Sequence, residues 1–308
     1  MTFVTLVVAL LLDRARPLPD AGAVLEWFRR YADRLGHDLN AGKPVHGMVG
    51  WLAAVCPWAL SALIVFYLFH YLSPVLGWLW SLLVLYLCLG FRNATQALKD
   101  IYAALRADDL ERARELLSKW RGGTASEYGE TEIAKAAVET ALMRAQRELF
   151  GVVFWFVVLP GPCGPVLYRL AAELEARWGR RAEEALEPFG RFARSAFVAL
   201  DWIPARLAAI GFAIAGNFED AISSWRTHAP AWPEPELGIV LASGAGAMHV
   251  QLGGALPREG GVDLRPELGD GDLADAEHLQ STIYLLWRTL VVWLVVLLLM
   301  TLARWAGG

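Results

Sequence analysis

The 308-residue sequence predicts an all-α, polytopic helical integral membrane protein with a soluble helical insert. Three observations predict it. The chain is 56% hydrophobic and only 19% charged, against about 45–50% and about 25% in an ordinary soluble domain. The excess is gathered into a few long apolar runs separated by charged stretches. Fourteen Trp, 13 Phe and 8 Tyr add the aromatic load that membrane interfaces attract. The same composition excludes intrinsic disorder, which needs low hydrophobicity and high net charge.

Residues 1–46 read as a partial membrane segment followed by a mixed-charge loop. Met1–Leu12 is apolar, without a leading positive charge or a small-residue cleavage site, so a cleaved signal peptide is not expected. It is also too short to cross about 30 Å of hydrocarbon. Residues 47–91 read as a transmembrane helical hairpin. Met48–Leu72 and Val75–Phe91 each approach the ~20 residues that a spanning helix needs. Ser73-Pro74 marks the turn, and Cys56-Pro57 is placed to kink the first arm.

Residues 92–149 differ in kind, with ten Lys/Arg and ten Asp/Glu in 58 residues. Asp108-Asp109 reads as an N-cap before Leu110, and Gly122-Gly123 stops that helix. A second helix is expected over roughly Glu130–Leu149. This is the soluble insert.

Residues 150–216 hold broken or re-entrant apolar helices. Phe150–Leu159 is intensely apolar but ends at Pro160-Gly-Pro-Cys-Gly-Pro165. Two readings stand side by side: a break, whose backbone protein or water must cover, and a proline-kinked span. The next run contains Asp201-Trp-Ile-Pro-Ala-Arg206. Asp201 reads as an N-cap at the interface with Pro204 in the first helical turn; the alternative is an intramembrane functional acid. Residues 217–282 read as an acidic extramembrane loop, since Asn217–Gln280 carries eleven acids and three arginines. Residues 283–308 close the chain with a spanning helix, Ile283–Leu302, flanked by Arg288 and Arg304. Positive-inside logic places 13–43 and 92–149 in the cytoplasm.

The net charge of −4 offers no basic field for a phosphate backbone, so nucleic acid is not an expected partner. Cys56, Cys88 and Cys163 form no C-x-x-C pair and read as small buried residues. No phosphate-binding loop, zinc-protease helix or nucleophile elbow is present. The six histidines never fall at i, i+3 or i+4, so no metal ligand set is predicted. Gly244-Ala-Gly246 reads as close packing.

Three blocks together carry a resemblance. The first is Ala104–Leu117 followed by Glu132–Thr140. The second is Val153-Phe-Trp155, then the Gly/Pro run and Leu167-Tyr-Arg169. The third is Asp201–Leu207 with Gln251–Gly254, Arg265-Pro-Glu-Leu-Gly269 and Leu286-Trp-Arg288. In order and spacing the chain resembles the CobD/CbiB family of cobalamin-biosynthesis membrane proteins, and also the related AmpE branch tied to β-lactamase regulation. The resemblance runs from about Ala97 to Arg288.

The resemblance implies ATP-dependent amide ligation of an aminopropanol (phosphate) unit onto a carboxylate of adenosylcobyric acid, with ATP and Mg²⁺ consumed if that activity is retained. The family clusters acids and amides in a stretch of the type E-S-x-A-E-N-x-x-D-G before its Phe-Trp motif. Here Glu139 keeps the first acid, while Met143, Arg144, Arg147 and Glu148 stand where the family has Glu, Asn, Asp and Gly. After Tyr168-Arg169 the family's N-T-L-D becomes Ala172-Glu-Leu-Glu175. By this resemblance Glu139 and Glu175 are the candidate catalytic acids. Arg144, Arg147, Arg169, Asp201 and Arg206 are the candidate ligand-binding residues, and two arginines turn a cation-binding lining into a cationic one. The implied setting is the bacterial inner membrane, multi-pass, with membrane lipid, a corrinoid intermediate and a second copy of the chain as expected partners. The alternative is a non-catalytic, AmpE-like sensor or regulator of a cell-wall-linked response.

Overall fold

A computed structural model describes residues 2–15, 21–39, 44–179, 187–258 and 261–306. In chain order the helices are α1 (Thr2–Ala15), α2 (Ala21–Leu39), α3 (Pro44–Leu72), α4 (Pro74–Cys88), α5 (Phe91–Arg106) and α6 (Leu110–Arg121). They continue as α7 (Glu130–Ala145), α8 (Gly151–Val158), α9 (Cys163–Leu174), α10 (Glu187–Ala215), α11 (Phe218–Thr227), α12 (Pro235–Met248) and α13 (Ala276–Ala306). Among the described residues five short strands lie between α12 and α13: β1 (Val250–Gly253), β2 (Leu256–Arg258), β3 (Gly261–Asp263), β4 (Glu267–Leu268) and β5 (Asp272–Leu273). Among the described residues four helical stretches are long and apolar enough to cross a bilayer: Val45–Leu72, Pro74–Arg106, Phe189–Ala215 and Ala276–Ala306. The chain is a helical membrane protein.

The chain divides into two compact units, Met1–Gly90 with Arg147–Trp202 and Phe91–Gln146 with Ile203–Gly308. In the first, α3 and α4 form the hairpin. Ser73 supplies its turn: its hydroxyl accepts from the Val75 N–H at 3.3 Å, and Pro74 occupies the first helical position, where a missing N–H costs nothing. The apolar run after Phe150 is broken. α8 ends at Val158 and α9 begins at Cys163, across a turn that includes Gly161 at φ +60°. The two helices then pack closely; a Cβ on Gly164 would lie 2.1 Å from the Trp155 carbonyl oxygen.

Among the described residues Pro57 and Pro204 sit inside long helices, and the chain handles both in the same way. A proline lacks the N–H that would bond the carbonyl four residues earlier. Pro57 in α3 therefore frees the Ala53 carbonyl, which accepts the Tyr31 hydroxyl at 3.2 Å. Pro204 in α10 frees the Leu200 carbonyl, which accepts from Trp155 Nε1 at 3.2 Å. That second bond corrects the reading of Asp201 as an N-cap. With Leu200 satisfied, α10 runs through the proline instead of starting at it, and Asp201 lies mid-helix, 4% exposed.

In the second unit α5 buries Phe91, Ala94, Leu98, Ile101 and Leu105, the three- and four-residue spacing of a one-faced helix. α6 is capped by Asp109, whose carboxylate accepts from the Arg112 N–H at 3.0 Å, and ends at Gly122 with φ +81°. α7 is buried along most of its length and packs on α5, α6, α12 and α13. The stretch read as an acidic loop carries α11, α12 and the strands. α12 is a core helix of small residues, with the Ser243 hydroxyl donating to the Ala209 carbonyl at 2.9 Å. Gly246 is a close-packing position, as a Cβ there would lie 2.3 Å from the Asp220 carbonyl oxygen. β1 pairs antiparallel with β4 and parallel with β5, while β2 and β3 form a hairpin.

Candidate functional site

Four of the seven candidate residues, Arg147, Arg169, Glu175 and Asp201, gather in the first unit. π-helical turns, often found at functional sites, carry two of them: Arg147 lies in Gln146–Phe150 and Glu175 opens Glu175–Gly179. Arg147 Nη1 stands 2.9 Å from Glu175 Oε2, and its guanidinium lies over the Phe197 ring, 4.8 Å from the centroid. Arg169 Nη2 donates to Glu148 Oε1 at 3.1 Å. Tyr168 donates its hydroxyl to Asp201 Oδ1 at 2.7 Å and packs its ring 5.5 Å from that of Phe197. Two guanidiniums, three carboxylates and a phenol thus share one buried patch.

Burial and the neighbouring carboxylate act together on Tyr168 and against each other on Arg169. Burial first, then the Asp201 carboxylate, pushes the Tyr168 phenol well above its ordinary pKa, so it remains a proton donor. Burial alone would pull Arg169 down; the Glu148 carboxylate, with smaller contributions from Cys88 and Glu173, more than reverses this and holds it above its usual value. Gly90 makes room for that pair, since a Cβ there would fall 2.4 Å from Glu148 Oε2.

The other three candidates lie in the second unit, each in a different setting. Glu139, 7% exposed, takes Arg265 Nη1 at 2.6 Å and Nη2 at 3.1 Å, and accepts from the Gly253 N–H at 2.8 Å. Arg265 also lies over the Trp232 ring at 5.6 Å. Arg144 donates to the Trp120 carbonyl at 2.6 Å, at the carbonyl-rich end of α6 where a cation is favoured. Arg206 Nη1 stands 3.6 Å from Glu236 Oε1.

A family model described as CobD/Cbib protein matches residues 6–286. The chain belongs to the CobD/CbiB family. It is 38% identical over 300 residues to a cobalamin biosynthesis protein CobD of Stutzerimonas stutzeri, covering 96% of this chain and 97% of the relative. It is 35% identical over 236 residues to the protein of that name from Chromobacterium violaceum, covering 77% and 72%. For the Synechocystis protein of the same name the identity is 28% over 304 residues, covering 95% and 87%. No solved structure matches.

CobD/CbiB membership brings the question of Mg²⁺, which binds through converging oxygen ligands. Among the described residues no three His, Cys, Asp or Glu side chains converge to hold a metal ion. Glu139 and Glu175, the acids at family positions, face guanidiniums instead. The residues present do not fit a protein-held Mg²⁺.

Glu148, Tyr168, Trp232, Glu236 and Arg265 were not among the candidates read from the sequence. Tyr168 and Arg265 lie in the blocks that carry the family resemblance, which was the available signal. Glu236 has no such signal: it meets Arg206 only through the placement of α12 against the end of α10.

Proposed function

We propose that this chain acts in cobalamin biosynthesis as a multi-pass protein of the bacterial inner membrane, at the step joining an aminopropanol (phosphate) unit to adenosylcobyric acid. The observation that carries it is the match along nearly the whole chain to a CobD relative that is itself almost wholly covered. The patch around Arg147 and Arg169 supports the substrate class. A ligand bearing both a phosphate and an ammonium finds guanidiniums for the first and the carboxylates of Glu148, Glu175 and Asp201 for the second. Arg147 and Arg169 offer the phosphate two guanidiniums, and the ligand's ammonium offsets one of the three carboxylates. The corrinoid intermediate and surrounding lipid are its partners, and a homo-oligomer is its assembly. Nucleic acid is not a partner. No observation favours the AmpE-like alternative.

Expression in a strain lacking its own CbiB-type protein tests this reading. Cobinamide-phosphate formation should return, and Arg147→Ala and Arg169→Ala should each reduce it. No rescue by well-expressed, membrane-inserted protein contradicts the proposal.

A further inference from the structure

The second unit holds a polar cluster that the proposed ligand patch does not use. Glu139 stands on α7, inside a helix whose neighbouring side chains are buried among small apolar residues. Its carboxylate meets three donors from one distant stretch of chain, the Gly253 N–H and two nitrogens of Arg265. Gly253 opens the turn out of β1, and Arg265 lies between β3 and β4. Gly253 and Gly254 both have φ +69°, a left-handed conformation that side chains resist. The turn is closed by the Gly254 N–H donating to the Pro266 carbonyl at 3.1 Å, and Arg265 Nε reaches back to the Gly254 carbonyl at 3.4 Å. The bare face of Gly254 receives two further side chains. Lys135 Nζ and Glu267 Cγ each lie 3.6 Å from where a Cβ would stand. Lys135 is one helical turn before Glu139 on α7.

We infer that Glu139 is a positioning residue: it fastens the Gly253-Gly254 turn and Arg265 onto α7, and it is neither a metal ligand nor an acid–base group. Its two oxygens are committed to the backbone N–H and the guanidinium in a bidentate arrangement, the strong form of such a pair. A cation at this carboxylate would have to displace Arg265 and leave a guanidinium 14% exposed without its counter-charge. The effect on turnover rests on the proposed ligase reading; the structural effect does not.

Hydrogen–deuterium exchange on the full chain in lipid nanodiscs separates the two. Glu139→Ala should speed exchange at Gly253 and through residues 250–256 by about tenfold or more, since a buried bond to a charged acceptor is lost. Arg265→Met should speed the same segment, which keeps the test open if Glu139→Ala does not fold. Glu139→Gln retains an oxygen for the Gly253 N–H. It should hold exchange there within about threefold of the parent and keep measurable cobinamide-phosphate formation in the complementation assay, which loss of a metal ligand or general acid would abolish. Parent-like exchange in both Glu139→Ala and Arg265→Met overturns the inference. So does a Glu139→Gln protein with parent-like exchange and no turnover, provided the parent turns over. An inactive parent leaves the exchange comparison as the deciding result and counts only against the proposed function.

Discussion

Replacing Trp155 by Phe removes one donor and leaves a named acceptor stranded. Trp155 Nε1 lies 3.2 Å from the Leu200 carbonyl, which Pro204 has deprived of its helical partner. Leaving a buried acceptor unmade costs about 1–3 kcal/mol. Hydrogen bonds measured inside membrane proteins average about 0.6 and reach about 1.7 kcal/mol, so about 1–2 kcal/mol is assigned to this one. Trimming a half-buried indole to a phenyl ring adds about 0.5–1 kcal/mol from lost apolar contact. Trp155→Phe should therefore destabilise the protein by about 1.5–3 kcal/mol. Pro204→Ala supplies the missing N–H to Leu200, so in that background the same change should cost less than about 1 kcal/mol. Thermal unfolding of all four proteins in one detergent, followed by circular dichroism, reads the difference. At about 2–4 °C per kcal/mol for chains of 150–250 residues, the single change should lower Tm by about 3–12 °C and the change made beside Pro204→Ala by less than half of that. Equal losses in both backgrounds would refute the idea that Trp155 serves the carbonyl freed by the proline. Tyr31→Phe makes the parallel case at Ala53, with Pro57→Ala as its rescue.

Other consequences follow from charge and burial. Glu175→Ala should cost about 3–5 kcal/mol, because it removes a buried carboxylate that lies 2.9 Å from the Arg147 guanidinium; Glu175→Leu combined with Arg147→Met should recover most of that loss, and equal Tm values for single and double variants would contradict it. Asp275 precedes α13, and its carboxylate accepts from the His278 N–H at 3.1 Å. Slight burial pushes its pKa up, but the side-chain and backbone bonds to His278 outweigh that and hold it below the ordinary value. Its contribution is thus complete above the unfolded carboxylate range near ~3.9 and fades as pH falls through the lower folded value. The effect is small for an exposed side chain: Asp275→Asn, which keeps a capping oxygen, should flatten the Tm profile below about pH 4 relative to the parent, and parallel profiles would count against it. Burial also raises the Cys163 thiol, with backbone bonds drawing it partly back. In a Cys56→Ala, Cys88→Ala background, iodoacetamide at pH 8 should modify Cys163 more than about tenfold slower than the unfolded chain; equal rates would contradict the burial.

The membrane hairpin was legible because length, apolarity and Ser73-Pro74 all point to one structure. The α6 cap and stop were legible for the same reason: Asp109 and Gly122 act locally. The fate of Asp201 was not. An Asp three residues before a proline is a sound helix start by local rules, and the donor that meets the freed Leu200 carbonyl comes from Trp155, 45 residues before it in the chain. α12 was missed because Gly, Ala and Ser carry little periodic signal, although their smallness is what lets the helix pack from several sides. The family stretch points to the residue types proposed for the site, but nothing in the sequence points to their pairing. Arg147 with Glu175, Arg169 with Glu148 and Glu139 with Arg265 are tertiary contacts, and the π-helical turns that aim Arg147 and Glu175 leave no mark in the sequence.

The most direct test of the account is a reaction in a defined system. The purified protein in lipid nanodiscs is given adenosylcobyric acid, aminopropanol phosphate, ATP and Mg²⁺, with the Stutzerimonas stutzeri relative prepared alongside, and the amide product is followed by mass spectrometry. Product is expected from this chain, with binding of aminopropanol phosphate weakened by Arg147→Ala. Product from the relative and none from this chain, folded and in the same lipid, would contradict it.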